Sequence, residues 1–264
     1  MKQRILFLIA SLLLMVASVQ TALAQKQGSA TERKAKMVVT TMDNQVVKFD
    51  VSNVKDVTFE EPEPIIDEDH EFVDLGLPSG TLWATCNVGA NSPEEYGDYF
   101  AWGETTPKDT CSWENYKYCN GTKKTLTKYC NDSSYGYNGF TDTLTELLPE
   151  DDAATANWGS DWQMPSFAQI FELCRNTTAI RTTVEDVNGW LFTASNGNSI
   201  FLPAAGYHYG AFFPDVDEIG YYWSRSLGGS PRIAYKLDFN SFEVRFNYLF
   251  DRYCGLSVRP VRKQ

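Results

Sequence analysis

The residues best suited to chemistry lie in two stretches near the C-terminus. Residues 241–262 read SFEVRFNYLFDRYCGLSVRPVR, and Arg245, Phe246, Tyr248, Phe250, Asp251 and Tyr253 crowd the first half. Upstream, residues 204–223 read AAGYHYGAFFPDVDEIGYYW, with Tyr207 and Tyr209 on either side of His208. Tyrosine and arginine join large contact area to polar tips, the chemistry of recognition surfaces, and aromatic faces can stack on sugar rings. Side chains alternate between the faces of a strand, so Phe246, Tyr248, Leu249 and Phe250 cannot all point one way. Either some of them form a binding surface, with Tyr248, Asp251 and Tyr253 foremost, or the segment folds back and packs them. The following LSVRPVR alternates and reads as a closing strand, with Arg259 suited to an edge or to a buried salt bridge.

Catalytic parts are sparse. The chain has two histidines, His70 and His208, and no G-x-S-x-G nucleophile motif. Its 34 acidic residues supply so many carboxylates that no pair stands out for glycoside hydrolysis. Asp215, Asp217 and Glu218 lie close enough to hold calcium through oxygen, yet EF-hand spacing is absent and a solvated acidic loop accounts for them as well. The six cysteines fit no zinc spacing; structural pairing or simple burial is their expected role, with a local disulfide joining two of Cys111, Cys119 and Cys130. No catalytic residue, metal or cofactor is assigned.

The elements that must position these groups follow from pattern. Residues 1–24 carry Lys2 and Arg4, an apolar run and Ala22-Leu23-Ala24, the pattern of a secretory signal peptide. No later apolar run approaches the ~20 residues of a membrane span. The net charge is −11, and without a basic cluster the chain is a poor partner for nucleic acid. Residues 37–60 predict a small β module: a hairpin of Val38-Val39 with Val46-Val47 around Asp43-Asn44, a helical turn over 52–57 and a short strand at 57–59. Residues 61–71 form an acidic, proline-bearing linker with a solvated His70. Residues 72–262 form the main domain, in which short aromatic and β-branched runs alternate with Gly- and Asn-rich turns. In MPSFAQIFELCRN, Ser166 and Gln169 make a capping box, and Phe167, Ile170, Phe171 and Cys174 share one apolar face. A second helix is predicted over 150–157, with Glu150, Asp151 and Asp152 at its N-terminus and Gly159 just beyond. Trp83, Trp102 and Trp162 read as core. The fold class is α+β, with many short antiparallel strands and about two helices.

Four stretches of the main domain carry a resemblance: FVDLGLPSGTLWATCNVGANSPEEYGDYFAWGET, DDAATANWGSDWQMPSFAQIFEL, NGNSIFLPAAGY and GYYWSRS with AYKLDF and DRYCGLSVRPVR. In this order they resemble the Fibrobacter succinogenes major paralogous domain of exported Bacteroidetes-type proteins. That family usually reads W-R-M-P-T where Trp162-Gln163-Met164-Pro165-Ser166 stand here, and YWSS where Tyr222-Trp223-Ser224-Arg225 stand. The resemblance implies a C-type-lectin-like fold, shared with formylglycine-generating enzymes and with the variable proteins of diversity-generating retroelements. In that fold the ligand site sits on irregular loops beside a sheet; the calcium-dependent sugar signatures EPN, QPD and WND are missing from residues 72–262.

The expectation is therefore an exported, non-catalytic protein, at the cell surface, outside the cell or in the periplasm, that binds a glycan or a protein through Tyr207, Tyr209 and the 245–253 stretch. An exported glycan-active hydrolase and a structural envelope protein are the alternatives. A retroelement-diversified binding protein is a further one, because the residue types between 245 and 254 are reachable from adenine-mutated Asn codons.

Overall fold

The computed structural model describes residues 35–40, 46–53 and 70–262. The chain divides into two units, one up to Glu63 and one from Pro64. In the first, β1 (Lys36–Thr40) and β2 (Val46–Asp50) pair antiparallel, with Lys36 opposite Asp50 and Thr40 opposite Val46, as the valine pattern predicts. A single 3₁₀ turn, Val51–Asn53, follows, held by the Asp50 carboxylate, which accepts from both the Ser52 N–H and hydroxyl. The expected signal peptide, the Asp43-Asn44 turn, the strand at 57–59 and residues 61–69 of the linker lie outside the described residues.

The second unit is α+β, built of small antiparallel sheets. β3 (Phe72–Asp74), β4 (Leu82–Ala84), β6 (Trp162–Gln163) and β14 (Val261–Arg262) form one sheet in the order β3-β4-β14-β6. β5 (Phe100–Ala101) pairs with β13 (Gly255–Leu256). β7 (Thr177–Val184), β8 (Val187–Ala194) and β9 (Ser199–Pro203) form a meander, as do β10 (Gly220–Leu227), β11 (Ile233–Phe239) and β12 (Val244–Asp251). The expected closing strand is real but broken by Pro260 into β13 and β14. Between them the backbone stays tied, because the Val258 and Pro260 carbonyls accept from Val88 and Ala84 at 3.0 Å each.

Local chemistry sets both helices. α1 (Ala153–Trp158) is capped by Asp152, whose carboxylate accepts from the N–H groups of Ala154, Thr155 and, across the turn, Met164. It ends at Gly159, whose φ of 91° suits glycine. α2 (Phe167–Asn176) carries the predicted capping box in full: Ser166 Oγ accepts from Gln169 N–H, and Gln169 Oε1 accepts from Ser166 N–H. Its innermost residues are Ile170 and Leu173, with Cys174 packed beside them. Phe167 and Phe171 sit at the margin, against Tyr235 and Phe246.

Two apolar clusters make the core. One gathers Trp102, Trp162, Trp223, Leu126 and Val258; the other gathers Trp83, Ile170, Leu173, Phe192, Leu202 and Val261. Each such side chain contributes ~1.5–3 kcal/mol on burial, so the tryptophans read as core in the sequence are among the main sources of stability. His70 corrects the expected linker boundary. It stacks on Trp158 at 3.6 Å, and the next carbonyl, of Glu71, accepts from Thr85 N–H, so the folded unit begins at least two residues before Phe72.

The expectation of a buried salt bridge at Arg259 also changes. Its guanidinium is buried but donates to Asn87 Oδ1 and to the carbonyls of Ala84 and Thr85, with no carboxylate in contact among the described residues. Burial without a counter-charge lowers its pKa to about 10. The six cysteines are thiols in this structure, and the local disulfide is not formed. Cys119 and Cys130 donate instead to the carbonyls of Trp113 and Asp132.

Candidate recognition cleft

The stretch that defeats simple alternation is β12, and a bulge explains why. Lys236 of β11 lies opposite Tyr248, whereas Asp238 lies opposite Arg245, so Phe246 and Asn247 together face Leu237. The extra residue returns Arg245 to the face of Tyr248 and Phe250 and sends Phe246 to the other. Phe246 packs edge-on against Phe171 at 5.3 Å, under the Arg175 guanidinium. The expectation that it contacts a ligand is corrected on that ground: it joins the sheet to α2.

On the opposite face a lysine sits inside aromatic walls. Lys236 Nζ lies 4.8 Å from the Tyr221 ring centre, 5.6 Å from Tyr248 and 5.5 Å from Phe250. Asp238 pairs with Lys236 at 2.9 Å and with Arg245, whose guanidinium covers Tyr248 at 4.7 Å. Burial lowers the Lys236 pKa to about 8 despite the opposing pull of Asp238. Arg245 is therefore committed to Asp238. Tyr248, 50% exposed, roofs the lysine and lies outside the lining of the cleft described next.

That cleft, about 300 Å³, opens at the far end of β12. Phe250, Asp251, Tyr253, Tyr207 and Tyr209 line it, five of the eight residues expected from the sequence. Two loops meet here because His208 and Gly255 exchange backbone hydrogen bonds, His208 N–H to Gly255 O at 2.7 Å and Gly255 N–H to His208 O at 2.9 Å. This bridge holds residues 207–209 beside 253–255. Tyr207 meets Phe250 edge-on at 5.0 Å, and Tyr253 leans on Tyr209 at 6.0 Å and on Trp113 at 5.0 Å. Burial raises the pKa of Tyr207 and Tyr253, so both hydroxyls keep their protons at neutral pH.

The lining also holds Leu249, which the sequence weighs without singling out, and Arg232, Ile233 and Cys254, which sequence reasoning missed as site residues. Arg232 arrives through register. Ile233 lies opposite Asp251, and the preceding Arg232 donates through Nη1 to Asp251 Oδ1. The only signal for it was an arginine at a strand start whose partner strand ends in aspartate. Arg252, between Asp251 and Tyr253, points inward. It is 0% exposed and donates to the Tyr116 hydroxyl and to the carbonyls of Tyr129, Pro231 and Lys128. Trp102, Tyr116 and Tyr129 stack about it at 4.9–5.7 Å. This inward anchor turns its neighbours outward into the cleft.

The remaining chemistry-bearing groups are engaged in structure. Asp215 accepts from the Tyr221 hydroxyl, and Asp217 accepts from the Asn188 N–H and side-chain amide. Both hold positive φ in the turn they shape. Among the described residues no group of three or more His, Cys, Asp or Glu side chains is arranged for a metal. Asp217, Glu218 and Arg181 border a second cleft of about 420 Å³ with the exposed Phe242. His208 Nδ1 lies 3.4 Å from Cys111 Sγ, but both side chains are buried. Burial lifts the Cys111 thiol to about 11 and lowers His208, so the pair is a neutral contact rather than an activated thiolate. Among the described residues no helix is long and apolar enough to cross a membrane. No family model, no curated protein and no solved structure matches the chain.

Proposed function

We propose that this is an exported, non-catalytic recognition protein that takes a glycan in the cleft between residues 207–209 and 250–254. The observation that carries the reading is one concave site that joins the rings of Tyr207, Tyr209, Phe250 and Tyr253 to an Arg232–Asp251 pair. Rings supply the faces on which a pyranose stacks, and the ion pair supplies donors and an acceptor at its edge. A volume of about 300 Å³ is at the small end for ligand sites and suits one sugar ring at a time. Hydrolysis would need two carboxylates flanking the scissile bond, and the lining has one, already paired with Arg232. The same proposal includes membership of the Fibrobacter succinogenes major paralogous domain family and its lectin-like fold. A short final strand held between β4 and β6, with the cleft on irregular connections, supports that assignment.

A protein ligand is the second reading. Phe212, 74% exposed, and Phe213 stand on the same loop as Tyr209, and an aromatic rim of this kind suits a protein partner. The test is an array of glycans and proteins probed with the full chain and with Tyr209→Ala, alongside chromatography of any bound oligosaccharide for cleavage products. A glycan hit that weakens about tenfold in Tyr209→Ala without product supports the proposal. Product formation, or a hit indifferent to the cleft, refutes it.

A further inference from the structure

Resting on the reading of the cleft as a glycan site, we infer that its ligand is an uncharged sugar presenting two adjacent hydroxyls to the Arg232–Asp251 pair, and that Asp251 is the residue that excludes acidic sugars. The argument begins with charge. The described lining holds one cation and one anion, and they are bonded to each other. The neighbouring face is closed in the same way. Asp238 holds Lys236 and Arg245, and Glu243 lies 3.9 Å from Arg245. No positive charge is left over at the site for a uronate, sialate or sulfate, and the whole chain repels anions with a net charge of −11.

Hydrogen-bonding geometry selects what does fit. Only Arg232 Nη1 and Asp251 Oδ1 are used in the pair. Among the described residues, Asp251 Oδ2 and Arg232 Nη2 have no hydrogen-bond partner, and both side chains are about one-third exposed. The free oxygen only accepts and the free nitrogen only donates. Two neighbouring hydroxyls match this pair, one donating to Asp251 and the next accepting from Arg232, without breaking the ion pair. A carboxylate or sulfate cannot donate to Asp251, and to reach Arg232 it must displace that aspartate or sit against its charge. Ile233, Leu249 and Phe250, which also line the cleft, offer apolar surface to the C–H face of the ring.

The probes are neutral hexose and N-acetylhexosamine oligosaccharides against oligogalacturonates and sialylated oligosaccharides of equal length, titrated into the full chain and into Asp251→Asn. The amide keeps the shape of the side chain at a partly exposed position, so folding is retained and is checked by thermal melting. The wild-type chain should bind at least one neutral probe about tenfold or more tighter than any acidic one. Asp251→Asn, which frees the guanidinium charge, should shrink or reverse that ratio by about tenfold or more, and raising salt should weaken its new acidic preference. Wild-type preference for an acidic probe, or an unchanged ratio in Asp251→Asn, would overturn the inference and leave glycan recognition standing. Binding of neither class would overturn both.

Discussion

Replacing Arg252 by alanine should damage this protein more than any substitution in the cleft it supports. The guanidinium is fully buried and makes four hydrogen bonds, at 2.7–3.1 Å, to one hydroxyl and three carbonyls. Among the described residues no carboxylate pairs with it, so the charge is held by dipoles and by three aromatic faces. Alanine would leave those acceptors dry and unpaired, at ~1–3 kcal/mol each, and would add a cavity. Non-additivity reduces the total, yet a loss of about 4 kcal/mol or more is expected, a large part of the ~5–15 kcal/mol that holds a typical domain. Lysine keeps the charge but not the fork, and should cost about 2 kcal/mol, because one ammonium cannot reach four acceptors spread around a plane. The assay is urea unfolding of the wild type and both variants, read as midpoint shifts at constant slope. A loss below about 1 kcal/mol for Arg252→Ala would refute the reasoning, since it would mean that these bonds do not order the strand end. Folded Arg252→Lys should also bind more weakly, because Asp251 and Tyr253 take their direction from the anchor between them.

Four other outcomes follow from the same contacts. Asp152→Ala removes the cap of α1 and the acceptor for Met164 N–H together, and should cost about 2 kcal/mol in chemical denaturation. Phe246→Ala should cost about 1–2 kcal/mol, the scale of a partly buried ring, and leave ligand affinity unchanged in a direct titration. Lys236 gives stability a defined pH response. Folded, it releases its proton near 8, against 10.5 in the unfolded chain, so between these values the unfolded chain holds the extra proton and stability from this group rises with pH. The difference in unfolding free energy between wild type and Lys236→Met should show that rise across pH 8 to 10.5, and a flat difference would remove the buried lysine as its source. Tyr248→Ala uncovers the same ammonium and should raise its pKa, followed by NMR titration of Nζ, while leaving the cleft intact.

How much of this was legible in the sequence depends on how local the cause is. The Ser166–Gln169 box and the stop at Gly159 could be read because each is closed by residues within one turn, whereas the start of α1, expected at 150, falls at Ala153 because Pro149–Asp151 makes a separate 3₁₀ turn and Asp152 is the cap. Tyr207, Tyr209, Phe250, Asp251 and Tyr253 were legible by residue type, since large amphipathic side chains in an irregular run have few other uses. Phe246 was misread because a one-residue bulge opposite Leu237 moves it to the other face, and a bulge leaves no mark in the strand's own sequence. Arg232 was missed because its place depends on the register of β11 against β12. His70 reads as solvated from sequence alone, since nothing adjacent to it announces Trp158 as its partner. The reading of residues 245–254 as a diversified run meets a physical constraint: Arg252 and Cys254 are core side chains, so variation there would have to spare them. Gln163 and Arg225, two of the three departures from the resembling family's motifs, are hydrogen-bonded to each other at 2.6 Å. They lie more than sixty residues apart in sequence, so nothing local announces that they form one contact in the fold.

The cleft itself is tested most directly by mapping. An isotope-labelled sample titrated with the tightest glycan from the array should shift the amide signals of residues 207–209, 232–233 and 249–254 by two-dimensional NMR, with little change around Arg181, Asp217 and Phe242. Shifts confined to that second cleft, or none at saturating glycan, would contradict the account.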